Sequence, residues 1–205
     1  ADVLAAKIRT GNATQSPWPF KVNAQNGAIR EDYSSDTINP IRLFDLLIKL
    51  GLGNTANYQV ARQTAWTWMM TYPIQNNVWA NYFEDSPIYT DLHNTTQYTA
   101  LMTARYLMEH PEYDANWQTH VRGIINWVLN NASISAYGAN TIEEQVDFPN
   151  ALGSHTSRYA SVNAMLYDLT GDTTARQEAI RSFNWATYMA RPNGVVIDGP
   201  TVNHE

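Results

Sequence analysis

The sequence predicts an all-α fold built as an array of antiparallel helical hairpins, and three observations carry that expectation. Trp68, Trp127 and Trp185 recur at intervals of about 59 residues in the matching contexts AWTWMM, IINWVL and SFNWAT. Each interval holds two stretches of helical periodicity. The connections alternate, short within a pair of helices and long between pairs. A unit of this kind cannot bury its apolar side alone and has to stack on its neighbours.

The elements follow in order. A short helix near Asp2 to Ile8 stands where the second helix of an earlier repeat would end. Asn39 can cap the next helix, with Pro40 in its first turn, Ile41, Leu43, Phe44, Leu47 and Leu50 on one side, and Gly51 as its stop. Its partner spans about Ala56 to Thr71, with Val60, Ala61, Trp68 and Met69 as the expected core. The second hairpin pairs about Thr95 to Glu109, through Leu101, Ala104 and Leu107, with about Asp114 to Leu129. There Trp117, Val121, Ile124, Ile125 and Val128 recur at helical spacing. The third pairs about His155 to Leu169 with about Thr174 to Ala190. GLGNT, EHPEY and TGDT are the short turns. Residues 10 to 36, 72 to 94, 131 to 154 and 191 onward are the long connections. Because successive helices alternate in direction, the short turns fall on one face and the long connections on the other, and function is sought on the long-loop face.

Composition narrows the function classes. With 44% hydrophobic and 16% charged residues in 205, the chain can bury a sizeable helical core. Its apolar stretches are far short of a membrane span, and Ala1 onward lacks the basic-then-apolar pattern of a secretory signal, which was either removed or never present. A formal charge of −6 without a run of Lys or Arg argues against nucleic acid or an anionic membrane as partner. Zero cysteines excludes disulfides, thiolate metal sites and a cysteine nucleophile. The N-x-S/T triplets at Asn12, Asn94 and Asn131 are expected by chance in a chain this rich in Asn.

The long connections carry the candidate site. The first holds Trp18, Pro19 and Phe20, a turn at Asn26 and Gly27, then Glu31, Asp32 and Tyr33. The second holds Trp79, Tyr82, Phe83, Glu84, Asp85, Tyr89 and His93, and the third Tyr137, Glu143, Glu144, Gln145, Asp147 and Phe148, leading to His155. Aromatics beside carboxylates, His and amides suit a sugar-binding cleft, because pyranose rings offer C–H faces to aromatic rings and hydroxyls to polar groups. The same aromatics can equally plug the tops of the hairpins. Trp18, Trp79, Tyr82, Glu84, Asp85, His93 and Glu144 are therefore the candidate substrate-binding residues.

His93, before the cap Asn94, and His155, after the cap Ser154, stand at the starts of first helices one repeat apart. A helix N-terminus disfavours imidazolium, which keeps such a histidine neutral, and it attracts an anion such as a uronic acid carboxylate. Arg158 and Tyr159 follow three and four residues after His155, on its side of the helix. His, Arg and Tyr together are what β-elimination beside a carboxylate needs: one group to neutralise the acid, one to take the α-proton, one to protonate the leaving oxygen. The alternative is that Arg158 and Tyr159 tie adjacent hairpins together. A glycosidase would instead use a pair of loop carboxylates, drawn from Glu84, Asp85, Glu143 and Glu144. No His or carboxylate pair has helical metal spacing, although His93 and Asp91 could meet in a loop, and neither metal nor cofactor is expected.

The alternating connections, the repeat length and the segments SPWPFKV, WANYFED, SHTSRYASV and RSFNWATYMA resemble the α/α-toroid carbohydrate-active proteins: toroidal polysaccharide lyases, unsaturated glucuronyl hydrolases and their bacterial relatives. The resemblance spans nearly the whole chain at the level of architecture, and no catalytic residue is taken from it. It implies a partial α/α toroid over residues 1–205, a polysaccharide or oligosaccharide partner, and a secreted or periplasmic location. Six hairpins would need roughly 350 residues. The three and a half present here are expected to be completed by the remainder of the chain or another subunit. The functional expectation is lyase-type β-elimination on an acidic polysaccharide, with His155 as base or carboxylate neutraliser, Tyr159 as acid or base and Arg158 holding the carboxylate. A glycoside hydrolase and a non-catalytic glycan- or protein-binding repeat are the alternatives.

Overall fold

Helical periodicity and its punctuation translate into three hairpins. The computed structural model of the protein describes residues 1–13, 15–31, 37–77, 79, 96–145, 148–188 and 190–195. It divides into two units, Ala1–Leu92 and His93–Glu205, each taken by itself below.

The first unit holds α1 (Asp2–Ala6), a small antiparallel ladder of β1 (Lys21–Val22) and β2 (Ile29–Glu31), and the hairpin α2 (Ile38–Leu50) and α3 (Thr55–Met69). α2 is capped at Thr37 rather than Asn39, and Pro40 sits in the first turn, where no intrahelical N–H is needed. Gly51 ends it at φ +64°, the left-handed conformation that a Cβ disfavours. Asn54 caps α3 by accepting from Asn57 N. Beyond Met69 the chain widens into a π turn, Met70–Ile74, which contains Pro73. A proline ring clashes with the carbonyl four residues back in an α-helix, and the wider turn relieves that clash.

α2 and α3 are joined by the Arg62 Nε–Asp45 Oδ1 ion pair at 2.9 Å and by the stacked rings of Phe44 and Tyr58. The Tyr58 hydroxyl donates to Asp2 Oδ1 at 2.6 Å and pins α1 to α3. The core assignment needs correction here. Ile38, Ile41 and Phe44 are buried, whereas Leu43, Leu46 and Leu50 are 40, 53 and 57% exposed, and Val60 of α3 is also exposed. Spacings of three and four put these leucines in one row, on the side of α2 opposite its buried stripe.

The second unit holds α4 (Gln97–Glu109), α5 (Trp117–Asn131), β3 (Ser133–Ala136), β4 (Ala139–Gln145), β5 (Phe148–Ala151), α6 (Gly153–Thr170) and α7 (Thr173–Thr187). α4 packs on both α5 and α6, so nine of its thirteen residues are buried, including Leu101, Ala104 and Leu107. That is the pattern of a helix covered on several sides. The tryptophans hold their expected places in second helices, but burial differs. Trp68 and Trp185 are buried; Trp127 is half-buried because it lies at the margin of the stripe formed by Val121, Ile124, Ile125 and Val128.

The connection between α5 and α6 is a three-stranded antiparallel meander, β3–β4–β5, so the fold is mostly helical with small sheets rather than all-α. Tyr137 and Gly138 close its first turn with φ of +53° and +75°, the signs a two-residue type I′ hairpin requires. β4 packs on α6 and α7, and Trp185 is buried against Ala139 and Ala151. Ser154 is not the cap of α6: Leu152 takes that position, and the helix is anchored instead by Thr156, whose Oγ1 accepts from Ile142 N at 2.9 Å. Among the described residues no helix is long and apolar enough to cross a membrane.

Candidate functional site

The first two turns of α6 bring the sequence-derived residues together. His155 is half-buried with Nδ1 3.3 Å from the backbone oxygen of Glu143 in β4. A carbonyl oxygen only accepts, so this contact puts a proton on Nδ1, and in the neutral ring the lone pair is then on Nε2. That is the tautomer of a general base. Arg158, one turn further on, is also half-buried. Its Nη1 donates to Gln97 Oε1 at 3.1 Å, and its guanidinium lies over the Tyr98 ring, 4.8 Å from the centroid. Burial pulls its pKa down, and Tyr98 works in the opposite sense. Among the described residues no carboxylate pairs with Arg158.

Gln97 is a residue that sequence reading passed over. It opens α4 behind the cap Thr96 and is fully buried; its Nε2 is buried without a hydrogen-bond partner among the described residues. An amide in the first turn of a helix resembles an ordinary solvated residue in the sequence. Only the packing of α4 against α6 sets it apart.

Tyr159 does not face the site as expected. It is fully buried, and its hydroxyl donates to Glu178 Oε2 at 3.2 Å. Burial, then the Glu178 charge, pushes its pKa upward, so ionisation of the phenol is strongly disfavoured. The side of α6 carrying Tyr159 is the one that packs on α7, and this displaces the tyrosine from proton-transfer chemistry.

The aromatic platforms also need correction. Trp18 is 3% exposed, donates from Nε1 to Leu4 O at 2.8 Å, and packs against Phe44; Trp79 is 1% exposed and donates to Asn77 Oδ1 at 3.0 Å. Both are plugs, as large aromatics with a satisfied N–H commonly are. Glu144 is half-buried in β4, where the pairing with β5 shifts register between Glu143 and Gln145. Tyr82, Glu84, Asp85 and His93 lie outside the described residues. No family model and no curated protein matches the chain. Glu143 is half-buried, and burial holds its carboxyl above the ordinary range. Among the described residues no group of His and carboxylates is arranged to hold a metal.

The first unit has an open cavity of about 380 Å³ beside α3, whose lining among the described residues is neutral and includes Trp68, Tyr72 and Gln63. The arrangement with chemical capacity is therefore that of α6 and α4: the His155 imidazole one turn from a guanidinium that has no carboxylate beside it among the described residues.

Proposed function

We propose that the chain is part of a carbohydrate-active protein of the α/α-toroid type. It acts on an acidic polysaccharide or oligosaccharide by β-elimination. The observation that carries this reading is the pairing on one side of α6 of His155, with its proton held on Nδ1, and Arg158, a half-buried guanidinium with no carboxylate beside it among the described residues. Arg158 would hold and neutralise the uronate carboxylate, which acidifies the neighbouring C–H. His155 Nε2 would then take that proton as the glycosidic oxygen departs. The leaving oxygen would take its proton from solvent water, because the Tyr159 hydroxyl is committed to Glu178. The packing of α4 on both α5 and α6 supports the toroid reading, since a ring of hairpins needs helices covered on two sides. Completion of the ring by further hairpins and a secreted or periplasmic setting belong to the same proposal.

Acidic polysaccharides incubated with the protein should yield the ultraviolet absorbance of an unsaturated uronic acid. His155→Ala should lower the rate roughly 10²- to 10⁴-fold. The absence of that chromophore, with any acidic polymer, would end the elimination reading.

A second reading rests on Glu143. A carboxyl raised by burial is the general acid that glycoside hydrolysis uses. New reducing ends without the chromophore, lost in Glu143→Gln but not in His155→Ala, would favour it.

A further inference from the structure

We infer that Gln97 and Arg158 together form a two-point seat for a carboxylate, with Gln97 Nε2 as the donor that reads it. The inference deepens the proposed function, since it rests on Arg158 as the group that meets the acid. Gln97 is fully buried, and its amide orientation is not arbitrary. Arg158 has only donors, so the atom facing its Nη1 at 3.1 Å has to be Oε1, and Nε2 is left as a buried donor with no acceptor among the described residues. A buried amide N–H without a partner costs about 1–3 kcal/mol, and native structures retain few of them. Beside it stands a guanidinium with no counter-charge among the described residues, held by a neutral amide and a tyrosine face.

Both deficits are of one kind. Among the described residues the pair lacks acceptor oxygen and negative charge, and a single carboxylate supplies both: one oxygen for Nε2 and one for the guanidinium. Gln97 also opens α4, a thirteen-residue helix, where the first-turn N–H groups carry partial positive charge even though that of Tyr98 is taken by the cap Thr96. Hydroxyls can accept from Nε2 but leave the charge uncompensated. The seat therefore selects uronate over neutral sugar.

The test reads binding rather than turnover, so it stands apart from the fate of the elimination reading. Galacturonate and glucuronate, as monosaccharides and short oligomers, are titrated into the ¹⁵N-labelled protein alongside their methyl esters. The Gln97 side-chain amide signal should shift with at least one free acid, and the matched ester should bind at least ten-fold more weakly. Gln97→Leu should weaken the acid by about ten- to a hundred-fold, the loss expected for one charge-assisted hydrogen bond. Gln97→Glu places a carboxylate of the protein's own against Arg158; it should abolish binding while leaving the melting temperature unchanged or higher. That last combination separates a ligand seat from a structural role, which would lower stability without regard to the sign of the new charge. Acid and ester binding alike, no free acid shifting the Gln97 amide, or Gln97→Glu binding acid as well as the parent protein would each overturn the inference.

Discussion

The Tyr159 hydroxyl donates to Glu178 Oε2 at 3.2 Å, and the same oxygen accepts from Asn140 Nδ2 at 2.7 Å. One carboxylate thus ties α6, α7 and β4 together, with Arg181 on its other oxygen at 3.3 Å. Removing the phenol oxygen leaves Glu178 with two donors. We expect Tyr159→Phe to cost about 1–3 kcal/mol, as for a hydrogen bond to a charged group, and to leave any turnover within a few-fold of the parent. Urea denaturation beside an activity assay checks both. Loss of activity in a folded variant would return Tyr159 to the chemistry.

The three repeat tryptophans separate by burial. Trp68→Ala and Trp185→Ala each remove a buried indole and are expected to cost about 3–5 kcal/mol. Trp127→Ala, at the half-buried margin of α5, should cost no more than about half as much. Denaturation midpoints of the three variants give the order directly, and equal losses would contradict it.

Asp172 caps α7 by accepting from Thr174 N and Ala175 N and pairs with Arg122 Nη2 at 3.1 Å. The backbone bond from Ala175 leads in holding its carboxyl below the ordinary value, with Arg122 adding to it. A depressed folded pKa means that the carboxylate stabilises the fold above about pH 4, where the unfolded chain ionises, and that this contribution fades as pH falls through the lower folded value. Asp172→Ala should therefore cost about 1 kcal/mol at neutral pH and progressively less in acid. Glu143 runs the other way. Its raised pKa makes the ionised form unfavourable in the fold, so the stability its protonated form adds is present in acid and lost as pH rises through the folded value. Glu143→Gln should raise the melting temperature at pH 7 relative to the parent and change it little at pH 3.

Gly11 sits at φ +71°, and a Cβ there would come within 2.7 Å of both Gln15 O and Trp68 Cδ1. The left-handed backbone alone costs an alanine about 1–2 kcal/mol. The contact adds to that, because Trp68 is fixed by its Nε1 bond to Asn12 O at 2.9 Å. Gly11→Ala is expected to destabilise by more than Gly51→Ala, whose added Cβ meets nothing within 4 Å. Thermal melts of the two variants make the comparison.

The hairpins were legible because helices announce themselves locally, through 3.6-residue periodicity and through the glycines Gly51 and Gly171 that stop α2 and α6. The meander was not. Its strands carry Ser133, Asn140 and Glu143, which favour no strand on their own, and its turn uses Tyr137 where Asn or Asp is the usual signal. Pairing partners and the cover of α6 and α7 make β4 a strand, and neither is written in its own residues. The site divides in the same way. Spacing placed His155 and Arg158 on one side of α6, but which neighbour each residue meets depends on helices far away in the chain. Packing on α7 therefore took Tyr159 out of reach, and packing on α4 brought Gln97 in.

The leucine row of α2 has a consequence for how the protein behaves as a solute. Leu43, Leu46 and Leu50 keep their methyl groups wet, so their free energy follows the composition of the solvent. Sulfate and other excluded salts raise the cost of wetted hydrocarbon, and urea lowers it. Retention on a weakly apolar resin should therefore climb with ammonium sulfate and fall when Leu46 is replaced by glutamate, because the row offers the resin three neighbouring wet side chains.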